Sequence, residues 1–83
     1  MKGFEILANM MGCTWSRDGL LEVLEAEGFG IRVADPDVIS ATYPETEEAR
    51  SKWNIRIWDN GFGTVITNVN YYGCEPIPED EDD

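Results

Sequence analysis

The first part of the chain carries apolar residues at helical spacing. They fall at the i, i+3, i+4 and i+7 positions that one face of a helix occupies: Phe4, Leu7, Ala8 and Met11. This spacing predicts a short amphipathic helix over residues 3–11. The run from Phe4 to Leu7 equally fits the opening of a β-strand, so both interpretations stay open for this segment.

A second helix is marked at both of its ends. Ser16 suits the N-cap position, where a hydroxyl accepts a hydrogen bond from the backbone of the first turn. Gly28 suits the left-handed position just past the helix, and Phe29 can then contact Leu24, as in a Schellman ending. An apolar stripe lies between these ends, formed by Leu20, Leu21, Val23, Leu24 and Ala26. These features predict a helix over residues 17–27.

Beyond the second helix the apolar period changes to two, which is typical of β-strands. Residues 31–33 form a first short strand, which the turn-forming sequence Asp-Pro-Asp at 35–37 ends. A second strand alternates apolar and polar residues over 39–43 and stops at Pro44. The polar residues 45–51 are predicted to form a loop or a single helical turn.

A hairpin is the clearest β element in the sequence. Residues 53–58 alternate in polarity, and the Asn60-Gly61 pair that follows is the preferred sequence for a two-residue type I′ turn. Counting outward from this turn pairs Ile55 with Ile66 on the buried face. The second strand of the hairpin then continues until prolines end it.

The other face of this hairpin is predicted to carry aromatic side chains. Arg56 and Trp58 lie on it, near Val69 and Tyr71 of the second strand. Trp, Tyr and Arg are the residue types enriched in binding hot spots. Trp58 and Tyr71 are therefore candidate partner-binding residues. The alternative is a sheet covered on both faces, in which these side chains are only packed.

Together these elements predict a single α+β domain over residues 1–74. N-terminal helical segments pack on an antiparallel sheet of three to four strands. Residues 75–83 form an acidic tail that has too little apolar surface to fold, so it is predicted to be disordered. A core of this size supplies about 3–5 kcal/mol of net stability, and a homodimer is one way to add to it.

The chain is strongly acidic. It has 17 Asp and Glu against 6 Lys and Arg, a net charge of −11, and the segment 75–83 explains only about half of it. Nucleic acid and anionic membranes repel such a chain, whereas basic surfaces attract it. The first residues also lack the pattern of a signal peptide. We expect a soluble cytoplasmic protein with a basic protein partner, no direct nucleic acid and no membrane contact.

The sequence offers little material for catalysis. It contains no histidine, which removes the commonest general base and most zinc sites. Cys13 and Cys74 are predicted to be partly buried free thiols, with a disulfide as the alternative. The glycines at 28 and 30 follow a helix instead of preceding one, the wrong order for a phosphate-binding loop. We therefore expect no enzyme, no metal and no cofactor.

Acidic residues recur on one face of the second helix. Asp18, Glu22 and Glu25 are spaced i, i+4 and i+7, so their side chains are neighbours. Like charges at this spacing cost a few tenths of a kcal/mol each, so a functional surface and a solvated outer face both stay open as interpretations of this stripe. Acids elsewhere are candidates to extend this surface: Asp35, Asp37, Glu45, Glu47 and Glu48.

In its size, its acidity and its lack of catalytic residues, the chain resembles the small acidic inhibitors that phages encode against bacterial defence systems. These include nucleic-acid mimics and anti-CRISPR proteins. The resemblance is one of type over the whole chain, and no motif carries a residue role across. It implies an inhibitor that occupies a basic, nucleic-acid-handling surface of a partner in the host cytoplasm. The alternative is a structural or adaptor module that binds through the aromatic sheet face.

Overall fold

The computed structural model describes residues 1–78, in which two helices precede a four-stranded sheet. The elements are α1 (Lys2–Met10), α2 (Arg17–Ala26), β1 (Gly30–Ala34), β2 (Val38–Pro44), β3 (Ala49–Asp59) and β4 (Thr64–Pro76). Each strand pairs antiparallel with the next, in the order β1-β2-β3-β4. The predicted α+β class is therefore confirmed. The tail predicted to be disordered covers residues 75–83. This prediction is wrong for residues 75 and 76, which belong to β4, and residues 79–83 lie outside the described residues.

Both helices pack on one face of the sheet. Along β3, buried residues alternate with more exposed ones, as the period of two predicts. The apolar core joins both layers and contains Leu7, Met10, Leu20, Leu24, Phe29, Ile39, Ala41, Trp53, Ile55, Ile57 and Ile66. We call the other side of the sheet the open face, since no helix of residues 1–78 covers it. None of the helices in this part of the chain is long and apolar enough to cross a membrane.

The ends of α2 follow the predicted chemistry. Ser16 accepts a hydrogen bond of 3.0 Å from the backbone N–H of Gly19. Gly28 adopts a φ of +111°, and the N–H of Phe29 donates to the carbonyl of Leu24 at 2.9 Å, which is the Schellman arrangement. Both ends lie within one residue of the prediction.

The first segment is a helix, which settles the two interpretations of residues 3–11. Its N-terminus is capped by a residue that is distant in sequence, Glu45, whose carboxylate accepts from the N–H groups of Lys2 at 2.9 Å and Gly3 at 3.0 Å. The Ser51 hydroxyl donates to the same carboxylate at 2.8 Å, and Trp53 Nε1 donates to that hydroxyl at 2.7 Å. A chain of hydrogen bonds thus links α1 to the centre of β3.

The strand β3 begins earlier than predicted. It starts at Ala49, inside the segment 45–51 that was expected to be a loop or a helical turn, and only residues 45–48 bend between the strands. Arg50 pairs with Pro44 on one side and Glu75 on the other, so it lies in the middle of the sheet. The prediction of a loop or helical turn is wrong here because the first residues of β3 are mostly polar. They therefore lack the alternation of apolar and polar positions that marks a strand.

The hairpin forms, but its turn differs from the prediction. Four residues, 60–63, join β3 to β4 instead of two. Asn60 does not adopt the positive φ that a type I′ turn requires. Its side-chain oxygen instead accepts the N–H groups of Phe62 at 2.9 Å and Gly63 at 3.1 Å. The asparagine therefore stabilises the turn through its side chain and not through its backbone conformation.

The longer loop shifts the register of the hairpin. Ile66 faces Ile57, and Ile55 faces Val69, so the predicted pairing of Ile55 with Ile66 is wrong although both are buried on the same face. Thr67 has no partner in the ladder, because a bulge interrupts the pairing there. One inserted residue in β4 places every later side chain on the face opposite to the one that regular alternation along the strand predicts.

The strand β4 continues to Pro76, so the predicted boundary between residues 74 and 75 falls inside it. The carboxylate of Glu75 forms ion pairs with Arg50, at 2.7 Å, and with Arg32. These two hydrogen-bonded guanidinium groups, Arg50 first, hold the pKa of Glu75 below its ordinary value. Cys74, like Cys13, is an exposed free thiol, so the predicted partial burial of both cysteines is wrong.

Candidate functional site

The outer face of α2 carries three exposed carboxylates. Asp18, Glu22 and Glu25 are all exposed, and within residues 1–78 none of their side chains forms a hydrogen bond or an ion pair. Seven residues at about 1.5 Å each place the three charges along about 10 Å of helix axis. The predicted acidic stripe is therefore present as a continuous, unneutralised surface.

This arrangement does not help α2 to fold. The last turn of the helix contains no basic residue, although a basic side chain there would interact favourably with the helix dipole. Glu25 lies in that unfavourable position, and its i, i+3 neighbour Glu22 repels it. Only Asp18, in the first turn, complements the dipole. The stability of α2 therefore does not account for Glu22 and Glu25.

Arg17 brings two further acids to the same end of the molecule. Its guanidinium donates to the main-chain carbonyls of Ala34 at 3.2 Å, Asp35 at 2.8 Å and Pro36 at 3.5 Å. These contacts hold the β1–β2 turn against the first turn of α2. The exposed side chains of Asp35 and Asp37 therefore extend the stripe beyond Asp18. We call the combined surface, formed by Asp18, Glu22, Glu25, Asp35 and Asp37, the acidic ridge.

The indole of Trp58 lies at the end of this ridge. Its side chain is 60% exposed, and it lines a cleft of about 380 Å³ together with Arg17, Asp37, Asp59 and other residues of that end. An exposed indole of this kind has a large apolar area to bury in a complex. The structure thus unites the two kinds of candidate residue, acidic and aromatic, that the sequence placed on different elements.

Sequence reasoning missed Phe62, the most exposed large apolar residue in the described chain, with 92% of its surface accessible. It projects from the 60–63 loop at the same end as Trp58. The loop is anchored, because Thr64 exchanges two backbone hydrogen bonds with Trp15, of 2.6 and 2.8 Å. A Cβ at Gly63 would lie only 2.6 Å from the Trp15 carbonyl. The sequence feature that could have identified Phe62 is an aromatic residue between two glycines in a turn.

Three of the candidate acids lie elsewhere. Glu47 and Glu48 are exposed in the β2–β3 turn, which a meander of four strands places at the end of the sheet opposite the β1–β2 and β3–β4 turns. Glu45 lies in the same turn and caps α1. The expectation that these residues extend the acidic surface of α2 is therefore wrong.

Tyr71 also lies apart from Trp58. It packs against Trp53 on the helix-bearing face, with the ring centroids 5.2 Å apart, because the bulge at Thr67 shifts the alternation. Its predicted position beside Trp58 is wrong for this reason, and Tyr72 occupies the open face in its place, with Lys52 5.3 Å from its ring centroid. A hydrogen bond with Cys74 Sγ, 3.2 Å from the hydroxyl, raises the pKa of Tyr71.

Basic residues are segregated from the acidic ridge. The open face of the sheet carries four of the chain's 6 basic residues, namely Arg32, Arg50, Lys52 and Arg56. Arg17 adjoins the ridge, but its guanidinium bonds to backbone carbonyls. The ridge therefore presents an almost uniformly negative surface to a partner.

No three Asp, Glu or Cys side chains of residues 1–78 are grouped closely enough to hold a metal ion. The acidic ridge and the aromatic pair beside it are suited to contact with another macromolecule, through charge and through apolar burial. Comparisons with models of protein families, with curated proteins and with solved structures found no match to this chain, so no relative assigns a role to any of its residues.

Proposed function

We propose that the protein is a non-enzymatic inhibitor that binds a basic, nucleic-acid-handling surface of a partner protein through the acidic ridge. The observation that carries this proposal is the continuity of exposed carboxylates from α2 to the β1–β2 turn, with four of the chain's 6 bases on the open face of the sheet. The resemblance in type to the acidic inhibitors that phages direct against bacterial defence systems supports it.

The spacing of the charges fits partial mimicry of a nucleic-acid strand. Asp18, Glu22 and Glu25 present one negative charge per about 5 Å of helix axis. A single strand of duplex DNA presents one per about 3.4 Å, and the whole duplex one per about 1.7 Å. The ridge thus approaches the charge density of one strand. A groove that binds a single phosphate backbone is the appropriate target.

The aromatic residues beside the ridge supply binding affinity that charge alone does not provide. Electrostatic complementarity mainly raises the rate of association and the specificity, whereas buried aromatic side chains often dominate the affinity. Trp58 and Phe62 lie at the end of the ridge, where they can be buried while the carboxylates pair with Lys and Arg of the partner.

The ridge is also held in place before binding. The caps of α2 fix the helix, and the Arg17 contacts fix the β1–β2 turn relative to it. Charges on a preorganised scaffold lose less conformational entropy on binding than charges on mobile chains. The geometry therefore favours a tight complex in spite of the small size of the protein.

The experiment begins with a pull-down of partners by the tagged chain, followed by titration of the purified partner at two salt concentrations. Reversal of Asp18, Glu22 and Glu25 to Lys is expected to weaken binding by at least ~100-fold, about 2.7 kcal/mol. Wild-type affinity is expected to fall steeply as salt rises, because ion pairs are screened. A triple variant that binds like the wild type would disprove the proposal.

A matched pair of double variants tests the location of the interface. Glu22→Lys with Glu25→Lys changes the ridge, whereas Glu47→Lys with Glu48→Lys makes the same change in charge at the opposite end of the sheet. The first pair is expected to weaken binding at least ~10-fold, about 1.4 kcal/mol, and the second by less than a third of that free energy. Equal losses would indicate that net charge, and not the ridge, drives association.

The open face supports the second candidate function, an adaptor module that binds through the sheet. Tyr72 and Lys52 lie there in contact with each other, and no helix of residues 1–78 covers them. An adaptor of this kind would tolerate the triple charge reversal, would lose affinity on Tyr72→Ala, and would respond weakly to salt, because apolar burial is not screened.

A further inference from the structure

The two edges of the sheet differ sharply. The edge strand β1 has 5 residues, a register shift at Arg32, and α2 lying against it. The edge strand β4 has 13 residues, and beyond Thr64 no backbone hydrogen bond within residues 1–78 joins its outer side to another strand. Exposed edges of this length are templates for pairing with another chain.

Two of the devices that usually protect an edge, charged side chains and prolines, are missing from most of β4. Proteins blunt exposed edges with charged side chains, prolines or bulges. From Thr64 to Cys74 the strand contains no charged residue and no proline, in a chain of which 28% is charged. Two register shifts, one at Thr67 and one at Tyr72 and Gly73, and the short bridge from Trp15 to Thr64 interrupt that stretch.

An apolar surface accompanies this edge on the helix-bearing side. Leu7 and Met10 of α1 are buried against the sheet, and Ile6 lines a groove of about 230 Å³ toward α2. Helical periodicity therefore turns Phe4 and Met11 to the flank of α1 that faces away from α2. This flank lies over β4, since the Phe4, Trp53 and Tyr71 rings follow one another with centroids 6.2 and 5.2 Å apart.

The side chains of this flank remain substantially exposed. Phe4 is 51%, Tyr71 45% and Met11 38% accessible, and Ala8 between them is exposed. We call these four residues the apolar flank. Together with the uncharged edge of β4, they form one continuous side of the molecule that nothing in residues 1–78 covers.

We propose that this side is a homodimer interface, in which β4 pairs antiparallel with β4 of a second copy. A two-fold axis perpendicular to the sheet generates such a pair and leaves both helical layers on the same side. The two sheets then join into one of eight strands, and each apolar flank meets the flank of the other copy. The same surface serves both partners, as an isologous contact requires.

The dimensions fit a stable dimer. The free and uncharged part of the edge, residues 65–74, at about 3.3 Å each gives a length of about 33 Å, which at a thickness of about 10 Å presents about 330 Å². The half-exposed Phe4, Met11 and Tyr71 add on the order of 100 Å² each. The total of about 600 Å² per partner lies at the lower end of the range for a standard interface, about 600–1,000 Å² per partner.

The distribution of charge restricts how two copies can meet, and it favours contact through this side. Two chains of net charge −11 repel each other, so they can approach closely only through a surface without charges. The carboxylates of α2 lie over β1, three strands away from β4, well beyond a Debye length of about 8 Å at physiological salt. The edge of β4 also matches itself in length and polarity, whereas an unrelated partner would have to bring an unpaired strand of its own.

Sedimentation velocity of the full chain over a range of concentrations tests the proposal. The wild type is expected to sediment as a dimer at high concentration, and added salt is expected to leave the dimer unchanged or to strengthen it. Partner binding through the acidic ridge has the opposite salt dependence, so the two proposals fail independently. A wild type that stays monomeric at every concentration up to several hundred micromolar overturns the dimer.

A matched pair of substitutions locates the interface. Ala8→Lys puts a charge into the apolar flank, and Ala26→Lys makes the same exchange at an exposed position of α2. The first is expected to raise the dimer dissociation constant at least ~10-fold, about 1.4 kcal/mol, and the second by less than twofold. Circular dichroism checks that both variants keep their fold. Equal effects of the two variants would place the interface elsewhere and overturn the proposal.

Amide hydrogen exchange of the wild type gives a second measurement that depends on no substitution. Amides on the outer side of β4, between Val69 and Tyr72, are expected to exchange more slowly as protein concentration rises. Amides of β1 are expected to show no such change. Protection that is independent of concentration along β4 contradicts the proposed pairing even where the protein is dimeric.

Discussion

The guanidinium of Arg17 donates a hydrogen bond of 2.8 Å to the main-chain carbonyl of Asp35. This contact joins the first turn of α2 to the β1–β2 turn, 18 residues further along the chain. A basic residue therefore helps to position the acidic surface, because it ties the turn that carries Asp35 to the helix that carries Asp18.

Removal of the Arg17 donors is expected to loosen this connection without unfolding the protein. Arg17→Met keeps the length of the side chain and should lower the free energy of unfolding by about 1 kcal/mol, the net value of a typical hydrogen bond. Backbone amides of residues 34–37 should exchange faster. The control is Arg56→Met on the open face, where residues 1–78 offer the guanidinium no partner, and it should change stability by less than about 0.5 kcal/mol. Equal effects would exclude the proposed role of Arg17.

Trp58 and Tyr72 distinguish the two candidate functions. Both are at least half exposed, so truncation of either should leave the fold intact. If the ridge end binds the partner, Trp58→Ala should weaken the complex by ~10- to 100-fold, the range of a hot-spot residue. Tyr72→Ala should then have an effect of less than threefold. Calorimetric titration of the identified partner measures both, and the reverse order would favour the adaptor function.

The hydrogen-bond chain from Trp53 to α1 should be sensitive to its middle member. Ser51 is fully buried, and Ser51→Ala leaves the indole N–H of Trp53 without its acceptor. An unsatisfied buried donor costs about 1–3 kcal/mol, which denaturant unfolding can measure. Glu45→Ala removes the cap of α1 and should cost about 1 kcal/mol. Glu47→Ala in the same turn is the control, and a loss as large as that of Glu45→Ala would contradict the capping role.

Glu75 should make the stability of the fold dependent on acid pH. The pKa of Glu75 is lower in the folded protein than its ordinary value of 4.5, because of Arg50 and then Arg32. A lowered pKa means that the unfolded chain binds the proton more readily. The ion pairs therefore stabilise the fold above the ordinary pKa and lose this contribution as the pH falls through the folded one.

A comparison of Glu75→Gln with the wild type measures this contribution. The variant should be less stable than the wild type at neutral pH, and the difference should shrink as the pH falls below about 4.5 and then vanish. Denaturant unfolding at several pH values between neutral and strongly acidic provides the measurement. A stability difference that does not change with pH would show that the ion pairs of Glu75 do not contribute.

The sequence alone determined the elements whose interactions are local. The ends of α2 depend on Ser16, Gly28 and Phe29, each of which bonds within a few residues of itself. Short-range contacts of this kind are encoded in adjacent residues, so the pattern predicts them. The alternation along β3 likewise identified the buried face, because a strand repeats every two residues.

Tertiary structure decided the register and the path of β4. Asn60-Gly61 is compatible with a two-residue turn, but the protein forms a loop of four residues and a bulge at Thr67. The free energies of alternative turns differ little, so the packing of Ile66 and Val69 beneath the helices selects among them. This choice placed Tyr71 beside Trp53 and away from Trp58.

The candidate site likewise combines features that the sequence determined with features that only the tertiary structure decided. Spacing along one helix was sufficient to identify Asp18, Glu22 and Glu25 as a single surface, because helical geometry fixes their relation. Two other features depend on contacts between residues that are 17 to 43 positions apart. One is the proximity of these acids to Asp37 and Trp58, and the other is the capping of α1 by Glu45. Such contacts form only when the whole chain packs, and the order of residues along the sequence does not record them.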